Sequence, residues 1–527
     1  MSRQLAKRMG GLLACAVLAA TAACSGGGKA GDGAAAGSSA SPGQSAKPAE
    51  SAKAPVKLVF LAPWAVYDRQ TDVQKKVHDI LQEKSGADLV PVFPATGETA
   101  TQKVNLMLSS GEQLDIIPFQ SIDRALELYK NGAIVPLNDL LDKYGSNLKK
   151  NFDADAWAEV TVDGKILGIP SLYPNRTPSI LQIRTDWLKN VNLPMPVTIE
   201  DYEKVMDAFV NGDPDKNGKK DTYALNSGSQ GTVEDLEKAF APFFLKQAMN
   251  WWQDGQGNLL PPEMDPAYKD MMAKLIEWSK KGYIWPEMIL SKNDKRVEAI
   301  AQNKIGSVGG WYSSTISGAL EVLAKTVPEA NYEPVALQGK GVNKLATTPK
   351  TQFVAVITKK SKNPENAMKF LDYTATREGY DLTTIGIEGQ SYTKLSNGLV
   401  EYVGDDKTDW QKAKYYYLHN MFTMKWEGTG PWPVNSWSDI TFTKMLNASS
   451  KLPSFDAVDK NVVYDKSAWK SFAKQTDMQT YLSEQKVKVF AGEVPLADWD
   501  KIMQKWKDIG GAQMIEDRTA QFKAAKK

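Results

Sequence analysis

A chain of 527 residues, 42% hydrophobic and 24% charged, is long enough to bury more than one core. Its 64 Lys and Arg nearly balance 62 Asp and Glu without any long basic run, which excludes a nucleic-acid binder held by phosphate contacts. The only cysteines, Cys15 and Cys24, sit near the N-terminus, so the body carries no disulfide and no cysteine metal site.

In chain order, Arg3, Lys7 and Arg8 give a positive start and Gly10 to Ala20 a short apolar stretch. Thr21, Ala22 and Ala23 then precede Cys24. This is a signal peptide over residues 1–23, too short for a stable membrane span. Its removal leaves 61 basic against 62 acidic side chains. The small residues before cysteine resemble a lipobox, which implies that Cys24 is acylated, as in palmitate-bearing lipoproteins, and becomes the mature N-terminus. Residues 24–55 are Gly, Ala, Ser, Pro and Lys with almost no large apolar residue, and read as a flexible tether. The expected location is the extracellular face of the cell membrane, lipid-anchored, with no span crossing the bilayer.

Val56–Leu61 reads as a strand, Asp72–Glu83 as a helix through Val73, Val77, Ile80 and Leu81, and Asp88–Phe93 as a strand. Ala100–Leu108 is helical and Leu114–Phe119 a short buried strand. Strands alternating with helices predict an α/β fold with parallel layers. Thr198 opens a helix with Asp201 three positions on and a stripe of Tyr202, Val205, Met206 and Phe209. Asp265-Pro266 starts another, with Tyr268, Met271, Met272, Leu275 and Ile276 inside and Gly282 at its stop. Asn363-Pro364 starts a third over Ala367, Met368, Phe370 and Leu371. The C-terminal third is rich in Trp and Lys and mostly helical.

Asp163-Gly-Lys-Ile-Leu-Gly-Ile-Pro170 is similar to the DGKxYGIP stretch of extracellular solute-binding proteins of ABC sugar importers. Leu181 to Leu188, Leu193 to Thr198, Gln302 to Trp311 and Phe353 to Phe370 follow in that family's order. The resemblance spans most of residues 55–520 and extends to alginate-oligosaccharide-binding and plant-polysaccharide-utilisation lipoproteins. It implies a two-lobed periplasmic-binding-protein fold with a hinge and an interlobe ligand cleft. It implies residues 56–170 and 350–405 in lobe 1, and 171–349 and 406–527 in a helix-rich lobe 2. Crossings fall near Pro170–Arg184, Leu345–Gln352 and Val403–Asp409. The implied partners are an oligosaccharide and the permease subunits of an ABC importer, with the chain acting as a monomer.

Asp213, Asp215, Asn217 and Asp221 place oxygens at alternate positions of a loop that turns at Gly218, and the Lys219 carbonyl adds one more. Such a set suits a hard cation of calcium size with a structural role, although Ala224 stands where an EF-hand has its bidentate Glu. The alginate-binding relatives have an acid just after the last Asp of a similar loop; here that residue is Thr222. A polar surface turn is the alternative.

Fifteen Trp and 19 Tyr suit sugar binding, because sugar rings present C–H faces to flat indoles. Trp311 follows Gly309-Gly310, Trp64 follows the first strand, and Trp432 and Trp437 lie in an irregular Gly- and Pro-containing run. With Tyr392 they form the expected stacking set, with Glu388 and Arg184 among the polar partners. Trp278, Trp499 and Trp506 sit in helical patterns and read as core. A peptide-binding importer subunit is one alternative. A glycoside hydrolase using Glu388 and Glu427 is another, but no catalytic motif frames that pair.

Overall fold

The computed structural model describes residues 54–62, 72–172, 176–177, 179–228, 232–289, 293–403 and 435–526. Two larger sheets organise them. In the first, Val56–Leu61 pairs in parallel with Ala87–Val92 across the helix Asp72–Ser85, and on its other side with Ile116–Gln120. Thr351–Ile357 adds antiparallel to Ile116–Gln120, and Ile169–Leu172 closes the sheet. Side chains alternate across a strand, and this sheet is covered on both faces. Leu58 and Phe60 meet Val77, Leu81 and Phe370, whereas Val59 and Leu61 meet Val104, Met107 and Leu126. That double burial is why VKLVFL is almost wholly apolar.

The second sheet runs Tyr332–Val335, Ser179–Arg184, Ile305–Trp311, Tyr223–Ser227. Its two inner strands are antiparallel and the last pair parallel. The helix Ile199–Asn211 packs here behind the expected capping box, in which the Thr198 hydroxyl accepts from the Asp201 N–H and the Asp201 carboxylate from the Thr198 N–H. Tyr202, Val205, Met206 and Phe209 are buried as their spacing predicts, and the Tyr202 hydroxyl meets Ser307 Oγ at 2.5 Å. The Asp265-Pro266 start is displaced. Asp265 Oδ1 accepts from the Ala267 N–H at 2.9 Å, and the pair forms a turn before the helix Tyr268–Lys280.

The C-terminal helices Trp437–Ser449, Gln475–Ala491, Trp499–Trp506 and Ala512–Ala525 follow. Met445, Met478, Val489 and Trp506 join the second core, and Trp278 and Trp499 are buried in it as expected. One buried ionic group fixes this layer. Lys486 Nζ donates to Glu237 at 2.8 Å and to Glu263 at 2.7 Å, and the Tyr268 hydroxyl donates to Glu237. Burial raises the Glu237 carboxyl. Burial works against the Lys486 charge, but the two glutamates hold its ammonium well above the ordinary lysine value. Breaking such a buried set by removing one partner costs about 3–5 kcal/mol, because the remaining charge is left uncompensated.

Candidate functional site

Strand direction locates the site. The three parallel strands of the first sheet end at Leu61, Val92 and Gln120. The register Thr351↔Leu172 puts the exit from that sheet and the return to it at this same edge. In the second sheet, Trp311 stands opposite Ser179, Ser227 opposite Gly309, and Val335 opposite Leu181. Three carboxyl ends therefore gather where the chain enters at Ser179. Ligands of open α/β sheets bind outside such carboxyl ends. Phe119, at φ 59°, occupies the left-handed region that bulky residues avoid, and its ring meets Phe353 edge-on at 5.7 Å.

The passages between the sheets are tied together. The Arg176 guanidinium donates to the Thr348 carbonyl at 3.1 Å, to Thr347 Oγ1 at 3.2 Å and to Asp456 at 2.7 Å. Thr347 Oγ1 donates to the same Asp456 oxygen at 2.5 Å, and Lys460 pairs with the other. The Thr348 N–H returns to the Arg176 carbonyl at 2.7 Å. Burial works to raise Asp456, but Lys460, Thr347 and Arg176 together hold its carboxyl well below the usual carboxylate range. Further along, Lys350 pairs with Asp153 and Asp155, and Glu159 accepts from the Lys350 and Thr351 N–H groups.

Trp311 is half-buried at the carboxyl end of its strand. Its ring lies 5.2 Å from that of Tyr312, which lies 5.5 Å from Phe442 on the helix that Trp437 begins. Trp437 is 37% exposed at that helix start. Trp311 thus belongs to a row of three rings that ends at Phe442, and no ring contact joins Trp437 to it. Trp64 and Trp432 lie outside the described residues, as do Cys24 and Glu427.

Two expected ligand contacts are corrected. Arg184 is fully buried, forks onto Asp186 at 2.8 and 2.6 Å, reaches Asn303 at 2.9 Å, and lies over Trp187 and Tyr332. It ends its strand, five residues or about 17 Å from the Ser179 edge. Tyr392 pairs with Tyr402 across a small hairpin and is 2% exposed within the first core, where burial pushes its phenol up. Glu388 is exposed and pairs at 2.9 Å with Lys394 of that hairpin, a surface ion pair.

Polar atoms at the end of the strand Tyr223–Ser227 and in the turn after Trp311 were not read from the sequence. Asn226 Nδ2, Ser227 Oγ and Ser314 Oγ are buried without a hydrogen-bond partner. The signal for it was Asn226-Ser-Gly-Ser229 directly after the strand-like Tyr223-Ala-Leu225.

The loop 213–221 follows the helix Ile199–Asn211. Positive φ at Asp213, Lys216 and Gly218 folds it tightly. Burial, then Asp213 and Asp221, raise the Asp215 carboxyl, so the three acids crowd together. The Asn217 amide NH2 reaches Asp215 at 2.7 Å and Asp221 at 3.1 Å, while Asp215 Oδ1 is buried without a partner. As these side chains stand, no three His, Cys, Asp or Glu among the described residues form a metal-holding set. Thr222 donates to the Phe209 carbonyl at 2.7 Å and takes no part.

Residues 68–381 match the profile of the bacterial extracellular solute-binding proteins. The chain belongs to this family. Over 493 residues it is 24% identical to the polygalacturonan/rhamnogalacturonan-binding protein YtcQ of Bacillus subtilis (strain 168), spanning 89% of this chain and 92% of that one. It is 25% identical over 462 residues to lipoprotein LipO of the same organism, spanning 80% and 84%. Among solved structures it is similar to alginate-binding protein AlgQ2 without calcium ion, with a TM-score of 0.64 and 22% identity over 89% of this chain and 98% of that one. It is also similar to an EF-hand mutant of the FusA substrate-binding protein of Streptococcus pneumoniae in complex with fructo-nystose, with a TM-score of 0.66 and 18% identity over 90% and 99%. The likeness establishes the expected fold. The family consists of binding proteins, so this member is a binder and not an enzyme, and the hydrolase alternative is discarded.

For this solute-binding protein, Asp456→Asn tests the tie between the passages. A depressed carboxyl stabilises the fold above its ordinary value near ~3.9 and loses that contribution as pH falls through its folded value. At neutral pH the variant should lose at most about 1 kcal/mol, since the pair is partly exposed. In urea titrations the gap to wild type should close below pH ~3. A gap that is constant with pH would refute the role given to the charge.

Proposed function

We propose that this chain captures a soluble oligosaccharide between two lobes and delivers it, as a monomer, to the permease subunits of an ABC importer. The lobes are residues 56–170 with 350–405, and 171–349 with 406–527. The observation that carries the reading is Trp311, a half-buried indole at the gathered carboxyl ends of the second sheet, beside polar atoms with no partner of their own. An indole stacks on the C–H face of a sugar ring, and neighbouring polar groups meet its oxygens. The relatives named for polygalacturonan, alginate and fructo-nystose support a carbohydrate over a peptide.

Trp311→Ala should keep a near-native melting temperature without ligand. Its affinity for a sugar found by glycan array should fall by roughly 2–4 kcal/mol, about 30- to 1,000-fold. A core tryptophan would behave in the opposite way, losing about 3–5 kcal/mol of stability while what remains folded still binds. Calorimetric affinity and apo stability measured on the same variant decide between the two.

The lipid anchor at Cys24 and the cell-surface location belong to the same proposal. The basic start, the short apolar stretch and the similarity to lipoprotein LipO support them. Among the described residues no helix is long and apolar enough to cross a membrane. Cys24→Ser should release the protein into the medium or leave the precursor uncut; a mature-sized mutant still in the membrane fraction would disprove the anchor.

We also propose a structural calcium in the loop 213–221, held by Asp213, Asp215, Asn217 and Asp221 with the Lys219 carbonyl. The unpartnered Asp215 Oδ1 and the crowded acids support it. A cation would take the place of the Asn217 NH2, with the amide turned to present its oxygen. Chelator should lower the melting temperature of wild type and leave Asp215→Ala unaffected. Identical melting curves for wild type with and without chelator would rule the site out.

A further inference from the structure

We infer that residues 462–466 form a second pivot of the lobe motion, away from the chain passages. They are a strap of the C-terminal segment pinned to both lobes at once, about which the lobes turn without parting. The inference rests on the two-lobe reading above.

The strap runs on from the passages. Ser454–Phe455 pairs in parallel with Leu345–Ala346, and Asp456 takes the Arg176 guanidinium. Beyond them, three neighbouring side chains divide between two cores. Val462 and Tyr464 pack into a small cluster with Leu259, Trp469 and Phe522. Val463 packs instead against the core in which Val59, Leu126 and Val356 are buried, a core of the first sheet. Residues 462–465 lie in no helix, and successive side chains outside a helix can face opposite ways. Met514 packs against both the small cluster and the second core, which makes the small cluster part of the second lobe.

Polar bonds repeat the division. On the side of the second lobe, Gln521 brackets the Asp465 backbone: its Oε1 accepts from the N–H at 2.9 Å and its Nε2 donates to the carbonyl at 3.0 Å. Asp459 accepts from the Tyr464 hydroxyl at 2.8 Å and from Arg518 at 2.5 Å, and the Arg518 guanidinium lies 4.2 Å from the centre of the Tyr464 ring. On the side of the first lobe, the Asp465 carboxylate pairs with Lys130, and Lys466 Nζ meets Asp123 at 2.5 Å. Asp123 and Lys130 stand near the two ends of the helix Ile122–Lys130. The charges are crossed, an acid and a base on the strap facing a base and an acid on the helix. Reversing the strap along the helix would set like charges together, so the two pairs fix its place as well as hold it.

When one body turns against another, contacts on the axis persist and contacts away from it separate. Exposed ion pairs part readily, and alone they would serve a clasp as well as a pivot. The apolar neighbours decide. Tyr464 is 5% exposed and Trp469 4%, so this part of the strap is fastened to the second lobe. Val463 is the next residue to Tyr464, and a fully extended chain gains at most ~3.6 Å per residue. There is no slack with which the strap could stretch across an opening gap. Parting would draw Val463 out of an apolar core into water. The strap therefore sits where the lobes move least. With the bond between Arg176 and Asp456 it gives two fixed points on one segment, and two points define an axis.

The test uses the full chain with Cys15→Ser and Cys24→Ser, a parent that keeps no thiol. Asp123→Cys with Lys466→Cys is added and bridged with a short bismaleimide. Closure is read as a fall in the radius of gyration by small-angle X-ray scattering with oligogalacturonate and with kestose, and affinity by calorimetry. The bridged chain should close as the parent does and bind within about twofold of it. Lys130→Cys with Asp465→Cys, bridged in the same way, should repeat the result. Val463→Ser with Lys130→Ala and Lys466→Ala unfastens the strap. That variant should have a larger radius without sugar and bind roughly three- to tenfold more weakly, because the lobes lose a fixed point. A bridge that blocks closure would overturn the pivot and make the contact a clasp. An unfastened chain with the radius and affinity of the parent would overturn it as well. A parent that binds neither sugar, or binds one without closing, overturns the two-lobe capture reading itself, and this inference with it.

Discussion

For two sheets to close on a ligand, the chain passages between them have to act as one axis, and Arg176 is the residue that gathers them. It sits in the first passage, bonds the second through Thr347 and the Thr348 carbonyl, and bonds the C-terminal segment through Asp456. Each of these contacts is partly exposed and modest alone. Together with the backbone bonds from Thr348 to Arg176 and from Thr347 to Phe455, they keep three stretches of chain at one place. A hinge is a few residues at element ends that absorb backbone rotation, and Leu172, Ser179, Ala346 and Thr351 bound such stretches here. Both sheets turn their carboxyl ends to this axis, and differential contact is what allows a ligand to shift a conformational equilibrium.

Buried ionic groups tie the elements around the second sheet together. Lys486 with Glu237 and Glu263 locks the helix Gln475–Ala491 onto helices from the middle of the chain, and Trp499 donates to the Glu263 carbonyl at 3.0 Å. Arg184 does the same within the sheet through Asp186 and Asn303. Such groups give no certain gain in stability over apolar packing, but each admits one arrangement of its partners. The C-terminal segment also reaches the first sheet's layer, where Lys466 meets Asp123 at 2.5 Å and Asp465 pairs with Lys130. This reciprocal contact joins the two layers outside the hinge. The acidic loop at 213–221 is built differently, from short-range bonds near one helix end, which suits a local clip and not a moving part.

Much of this was legible because local patterns speak for local structure. The capping box at Thr198 and Asp201 and the stripe from Tyr202 to Phe209 form as read, since a helix tests its pattern within a few residues. Trp278, Trp499 and Trp506 were readable as core for the same reason. The Asp265-Pro266 start moved because an aspartate can cap a turn as well as a helix, and here Asp265 caps the turn before Tyr268. Arg184 and Tyr392 were misread because residue type does not report which end of a strand, or which face of a hairpin, meets the ligand edge.

By itself the sequence determined the class of the protein, the alternation of strands and helices, the acidic loop and the tryptophan after Gly309-Gly310. These are properties of periodicity and spacing along the chain, and of motifs in a fixed order. Only the tertiary structure decided that Arg184 belongs to an internal ion pair, that Asp456 meets Arg176 across 280 positions, and that side-chain atoms of Asn226, Ser227 and Ser314 are buried without partners. The physical reason is that strand direction and register bring together side chains far apart in sequence, and a polar group's role depends on whether its neighbours there satisfy it.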